Sequence, residues 1–429
     1  MITLRQLNRA FKGIVLAGVL LLSASCSPKG SFYSVKDGQI VLGDAPQYYV
    51  GANFWYGPML ASTEEGLVRL KAELDTLNSL GIRNLRVLPM ADGPDGPGAK
   101  VQPAGHVEPG QYQEAQLRGM DIFMQEIEKR GMSAVIYLNN AWEWSGGYGT
   151  YLEWAGEGKT PDTRTDGYVA YMDFVSKFIT SPKAQELFFE HVRFMVERYK
   201  DSPAVFSWQI ANEPRCFSSD TAVQDAFVEF VHNTASLIKS IDPHHMVSTG
   251  NEGSWGCEGS MELCERINDC KDIDYVTIHI WPYNWSWVRE DSIASGVQTA
   301  IDNTANYIDE HVALASKMGK PLVIEEFGYP RDAFAFEKGT PVSGRDTYYS
   351  YLLDRLCKSA AEGDAFAGLN FWGWGGMAAQ TPGHTWWEQG DDYCGDPAQE
   401  QQGLNSVYLS DTSTVKLLSG TANKLNINN

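Results

Sequence analysis

Eight times along this chain an apolar, strand-like run alternates with an amphipathic helical stretch, and that alternation constrains the fold more than any other feature. The strand-like runs are Tyr48–Trp55, Asn84–Pro89, Ala134–Leu138, Val205–Ile210, Met246–Thr249, Tyr275–Ile280, Leu322–Glu326 and Gly368–Trp372. Helical patterns occupy Thr63–Leu80, Gln116–Arg130, Lys183–Tyr199, Asp225–Ile241, Ala300–Met318 and Arg345–Glu362. The fifth connection, around Gly259–Asp269, is short and rich in cysteine, and a last helix at Ser413–Leu425 is placed to close a ring. Such a pattern specifies a parallel sheet with crossover helices. A length of 429 residues suits an α/β (β/α)8 TIM barrel, about 250 residues at minimum, with enlarged βα loops. The competing open, doubly wound sheet normally shows a glycine-rich phosphate turn after its first strand, and Gly51-Ala52-Asn53-Phe54 does not match it.

No low-complexity linker or repeat splits the chain, so residues 41–429 read as one domain. Residues 26–40 read as a tether and N-terminal segment, and residues 1–25 as a signal peptide. Arg5, Arg9 and Lys12 precede the apolar run Gly13–Leu22, which is too short to span a bilayer, and Ser23-Ala24-Ser25-Cys26 follows it. Small residues before a cysteine mark lipoprotein processing, with lipidation of Cys26. Ser23 stands where such motifs usually carry Leu, so plain secretion is the alternative. The protein is expected to be exported, either anchored by its lipid at the cell surface or in the periplasm, or secreted. A formal charge of −20 without a basic cluster excludes nucleic acid as a partner. A monomer is expected, with membrane contact only through the lipid. Six cysteines remain, Cys216, Cys257, Cys264, Cys270, Cys357 and Cys394, enough for up to three disulfides. A local bridge is expected within Cys257–Cys270, whereas Cys357 falls in a helical pattern. Zinc on this cluster would lack a histidine at ligand spacing.

Barrel chemistry sits at the C-terminal ends of the strands, where polar residues interrupt apolar runs. Here those ends read Leu85-Arg86-Val87, Leu138-Asn139-Asn140, Gln209-Ile210-Ala211-Asn212-Glu213, Ile278-His279-Ile280-Trp281, Glu325-Glu326-Phe327-Gly328 and Phe371-Trp372. An arginine, asparagines, a histidine and carboxylates therefore converge on one rim. Two carboxylates across a sugar suffice for glycoside hydrolysis, about 5–5.5 Å apart when configuration is retained. Glu213 and Glu326 are the candidates.

Asn212-Glu213-Pro214, His279-x-Trp281 and Glu326-Phe327-Gly328, in that order, resemble the signature of glycoside hydrolase family 5. Gly51-Ala52-Asn53-Phe54-Trp55-Tyr56, Asn139-Asn140-Ala141-Trp142 and Ile278-His279-Ile280-Trp281-Pro282-Tyr283-Asn284-Trp285 resemble its endo-β-1,4-mannanase branch. The resemblance implies a retaining endo-β-1,4-mannanase acting on mannan, glucomannan or galactomannan, without a metal or other cofactor. By the same resemblance Glu213 is the acid/base and Glu326 the nucleophile, with Arg86 holding Glu326 charged. Asn212 is expected on the 2-hydroxyl of the sugar, and His279 on Glu213 or the sugar. Asn140, Trp142, Trp281, Trp372 and Trp55 complete the expected substrate-binding set. Glu325 is left a structural ion-pair role, because successive strand side chains point to opposite faces.

Two positions depart from the family. Trp281 stands where many members have a Tyr that donates to the nucleophile, and Asn140 where the broader family often has a His. Tryptophan faces suit a polysaccharide groove or barrel-top packing. Trp372 is expected to floor the cleavage subsite, while Trp386 and Trp387 fit either role. Residues 148–167 read as a groove-shaping insertion. His244-His245 read as a solvated turn, and His106, His191, His232, His311 and His384 as forming no ligand set. The same machinery on β-1,4-glucan is the nearest alternative. A non-catalytic glycan-binding lipoprotein would need the tryptophans but not both glutamates.

Overall fold

A computed structural model describes residues 32–95 and 100–428. The signal peptide and Cys26 lie outside the described residues. Eight parallel strands form the barrel wall: β1 (Tyr49–Asn53), β2 (Asn84–Val87), β3 (Ser133–Tyr137), β4 (Val205–Gln209), β5 (Met246–Ser248), β6 (Val276–Ile280), β7 (Leu322–Phe327) and β8 (Phe366–Phe371). They pair in the order β5-β4-β3-β2-β1-β8-β7-β6, and a parallel bridge from Ser248 to Tyr275 joins the two ends. Each strand is followed by a main helix: α1 (Glu64–Ser79), α2 (Glu114–Lys129), α3 (Pro182–Tyr199), α4 (Thr221–Ile241), α5 (Met261–Asn268), α6 (Val297–Met318), α7 (Ser343–Glu362) and α8 (Thr412–Asn428).

Local chemistry sets the helix ends. Thr63, Ser181, Asp220 and Ser260 each accept a backbone N–H at the start of α1, α3, α4 and α5, satisfying donors the helix cannot. Gly319 and Gly363 adopt the left-handed conformation that ends α6 and α7. At the barrel floor Val135, Phe206, Met246, Tyr275, Val323 and Ala367 meet in one apolar layer. An N-terminal hairpin, Tyr33–Lys36 paired with Gln39–Leu42, covers that layer with Ile40. Closing the floor leaves chemistry to the opposite mouth, where the long loops are.

Three local expectations need correction. All six described cysteines are free thiols, so the expected bridge within Cys257–Cys270 is absent, and Cys257 and Cys264 instead share a thiol hydrogen bond in the core. His245 is buried, because Asp242 accepts from its Nδ1 at 2.6 Å, while His244 alone fits a solvated turn. His106 and His191 do come together, with Asp92, within 4.8 Å. Their rings stack at 14°, 4.8 Å between centroids, with His106 Nδ1 2.9 Å from Asp92 Oδ1 and His191 Nδ1 3.1 Å from the Tyr112 hydroxyl.

Candidate active site

Arg86, on β2, organises the barrel mouth. Fully buried, it donates to Gln209 at 2.8 Å, Asn53 at 3.0 Å and Asn212 at 2.8 Å, and its Nη1 lies 2.5 Å from Glu326 Oε1. The ring of Tyr137 packs under the guanidinium, 4.6 Å away. A buried arginine is tolerated only when its donors are used, and here they fix two residues of the site at once. Trp281 completes the hold on Glu326, its Nε1 donating to Oε2 at 3.2 Å. The indole thus supplies one bond to Glu326 at the position where the family resemblance implied a tyrosine hydroxyl.

Glu213 sits just past the end of β4 with φ of +50°, a left-handed backbone rare outside glycine and concentrated at functional positions. His279 Nδ1 is 2.8 Å from its Oε1, and Trp142 Nε1 donates to its Oε2 at 2.5 Å. The same His279 nitrogen is 3.4 Å from Glu326, and oxygens of the two glutamates lie within 4.8 Å of one another. Oxygens this close leave less room than the roughly 6.5–9.5 Å between the carboxyls of an inverting pair.

Burial pushes the Glu213 carboxyl above its ordinary value, against the pull of Arg215 and the Trp142 hydrogen bond. Burial also pushes Glu326 up, Arg86 opposes this, and Glu213 adds to it. Two carboxyls this close share one charge over the middle pH range, and the direct Arg86 contact places that charge on Glu326. Burial, then Arg86 and Arg215, drives His279 well below the usual imidazole value, so it is neutral.

A cavity of about 380 Å³ opens above this pair, lined by Trp142, Asn212, Glu213, Trp281, Glu326 and Trp372 among the expected residues. Trp372 stands at 74° to Trp281, forming a corner. Four expected substrate contacts lie elsewhere. Asn140 is buried and accepts from Asn212 Nδ2 at 3.1 Å, so it aligns Asn212 rather than facing the cavity. Trp55 is buried and donates to the Gly395 carbonyl at 3.0 Å. Arg86 and His279 are spent on the glutamates.

Glu325 bonds Gln209 and Tyr275 inside the barrel, near Arg86 at 3.9 Å, the ion-pair position expected for it. Strict alternation does not explain its aim. The register of β7 on β6 jumps from Ile324 to Glu326, so Glu325 is the extra residue of a β-bulge and both glutamates approach Arg86. Sequence reasoning also missed Arg215, Glu252, Trp255, Gln399 and Glu400 in the cavity wall. Glu252 follows β5 as Asn251-Glu252, the same strand–Asn–Glu pattern as Asn212-Glu213, and that repetition was its signal. Arg215 Nε donates to it at 2.6 Å. Burial pushes Glu252 up to about 8, with Arg215 pulling it down and Glu213 raising it.

The model described as GH family 5 beta-mannosidase-like matches residues 30–429. The chain is 27% identical over 367 residues to mannan endo-1,4-beta-mannosidase 1 of Oryza sativa subsp. japonica, covering 80% of this chain and 78% of that protein. It is 28% identical over 377 residues to mannan endo-1,4-beta-mannosidase 1 of Arabidopsis thaliana, covering 80% and 82%. The crystal structure of a glycoside hydrolase family 5 mannosidase from Rhizomucor miehei is similar with a TM-score of 0.84 at 29% identity, over 93% of this chain and 98% of that one. A variant of that mannosidase has been solved with mannosyl-fructose.

Proposed function

Because the chain belongs to glycoside hydrolase family 5, in its beta-mannosidase-like group, we propose that it hydrolyses β-1,4-linked mannan, glucomannan or galactomannan with retention, by double displacement on two glutamates. One observation carries the mechanism: Glu213 and Glu326, held in different environments, face one cavity with oxygens within 4.8 Å. Glu213, whose proton is stabilised by burial, protonates the glycosidic oxygen as Glu326 attacks the anomeric carbon. The leaving sugar departs and a glycosyl ester on Glu326 remains. Glu213, now ionised, takes a proton from water, which attacks the same carbon and restores both carboxyls. Asn212, fixed by Arg86 and Asn140, contacts the 2-hydroxyl, the group whose orientation separates mannose from glucose. Trp372 floors the subsite, stacking on the C–H face of the ring.

The mannan reading draws on the relatives, which are named for mannan or mannoside hydrolysis. Release of reducing sugar from linear mannan and glucomannan by the purified protein tests it. Glu213→Gln and Glu326→Gln should each lower turnover by about 10³-fold or more while oligosaccharide binding persists. Near-normal activity in either variant would refute the assignment, and activity on carboxymethylcellulose alone would move the substrate to β-1,4-glucan. Export, with a lipid on Cys26, is part of the same proposal: mannan polymers lie outside the cell. Mass spectrometry of the mature N-terminus tests it, and an unmodified, uncleaved N-terminus would contradict it.

A further inference from the structure

Arg86 meets two glutamates, and the double displacement uses only one of them. Its Nη1 bonds Glu326 at 2.5 Å, while its Nε lies 3.9 Å from Oε2 of Glu325, a side chain with no solvent exposure. We propose that Glu325 is a positioning residue of the reaction: acting through Arg86 from inside the barrel, it sets how strongly that arginine holds Glu326, and so the balance between forming and breaking the glycosyl ester. This rests on the double displacement assigned to Glu213 and Glu326.

The donor pattern around Glu325 follows from Arg86. A guanidinium only donates, so Gln209, 2.8 Å from Arg86 Nε, must turn its Oε1 towards the arginine. Its Nε2 then donates to Ser248 Oγ at 3.1 Å and to Glu325 Oε2. Asn53 is oriented in the same way: its Oδ1 accepts from Arg86 Nη1 at 3.0 Å, and its Nδ2 donates to the Glu325 carbonyl at 2.8 Å. Tyr275 donates to Glu325 Oε1 at 2.8 Å. Each carboxyl oxygen of Glu325 therefore faces a donor, an arrangement that stabilises the ionised form. Burial lifts the carboxyl above its ordinary value, and Arg86 with the Tyr275 and Gln209 bonds pulls against that rise.

The other titratable groups around this cluster are neutral. Burial holds Tyr49 of β1, Tyr137 of β3 and Tyr275 before β6 well above the ordinary phenol range, and His279 of β6 well below the imidazole range. Glu213 carries the proton it shares with Glu326. The charge of Arg86 is thus divided between Glu325 inside the barrel and Glu326 at its mouth, and the bulge in β7 is what brings both to one guanidinium.

This division bears on both chemical steps. In the first, Glu326 gives an electron pair to the anomeric carbon and loses its negative charge. In the second, water attacks that carbon and the pair returns to Glu326. A stronger pull from Arg86 opposes the first step and favours the second. The Glu325 charge weakens that pull, across a buried distance that water does not screen, and keeps Glu326 nucleophilic.

Glu325→Gln removes the charge and keeps the shape. The amide fits the same partners, its oxygen accepting from Gln209 and its nitrogen donating to Tyr275, whose hydroxyl then turns to Ser207 Oγ at 2.7 Å. Arg86 acts undivided on Glu326, so the acid limb of kcat/KM on mannohexaose should move down by about one pH unit. At the plateau kcat/KM should fall about tenfold. Hydrolysis of a 2-deoxy-2-fluoromannosyl ester trapped on Glu326 should be as fast as in the unaltered protein, or faster. Glu325→Asp, which keeps the charge one methylene further from Arg86, should move the limb the same way by a smaller amount. A limb that stays in place or moves up in either folded variant would overturn the proposal. Slower ester hydrolysis would overturn it too, because a general loss of structure slows both steps. An unaltered protein that forms no ester on Glu326 would instead refute the double displacement beneath it.

Discussion

At the residue scale the chemistry depends on how each glutamate is held. Trp142 donates directly to Glu213 and so opposes the rise that burial imposes. Trp142→Phe removes that donor, and the alkaline limb of kcat/KM should move to higher pH. A limb that stays put or moves down would show that Trp142 does not set the acid. Trp281→Phe leaves Arg86 as the direct hydrogen-bond donor to Glu326, with His279 3.4 Å away, and kcat should fall about tenfold in a protein that still binds product. The glutamates, Arg86, Asn212 and His279 were legible in the sequence because each is a polar residue that interrupts or ends an apolar run. Their division of labour was not, since Asn140 and Trp55 end similar runs yet bond inward. A one-dimensional pattern marks a residue for the rim without saying whether a neighbour will claim its polar atoms.

At the element scale, all eight strands and the main helices except α5 were legible, because strand burial on both faces and helix amphipathicity leave different periods; α5, at Met261–Asn268, is only eight residues long and read as a short connection. Their junctions were less so. The β-bulge at Glu325 breaks alternation without any glycine or proline to announce it. The turn after β5 is similarly decisive for Glu213. Gly250 has φ of +75°, its carbonyl accepts the Glu213 N–H at 3.0 Å, and an added Cβ would collide with the Ala211 carbonyl. Gly250→Ala should cost about 2 kcal/mol or more by strain and should also lower kcat, because the Glu213 backbone must shift. Urea unfolding and kinetics on the same sample check both. A stable, fully active variant would show that this turn does not position the acid.

At the scale of the whole molecule, burial of ionisable groups ties stability to pH. His191 and His279 are held neutral, far below the ordinary imidazole value. The unfolded chain protonates them near pH 6.5, so stability falls as pH drops below that value. Glu252, pushed up to about 8, retains a proton that the unfolded chain has lost. Its contribution is therefore lost as pH rises from the ordinary carboxyl range towards 8. Tm should be highest at weakly acidic pH, roughly 5–7, and a Tm that climbs steadily to pH 9 in calorimetry would contradict this. The barrel as a whole was legible in the sequence, yet the segment 377–406 was not. Its path over β1 and β2 is set by contacts with residues hundreds of positions away, such as Trp55 and Arg69, which no local pattern carries. The central claim, a glycosyl ester on Glu326 in a retaining mechanism, is tested most directly by trapping. Incubation with a 2-deoxy-2-fluoro-β-mannosyl fluoride followed by peptide mass spectrometry should find the sugar covalently on the peptide containing Glu326. A label on another residue, or turnover that releases the inverted anomer with no label anywhere, would contradict it.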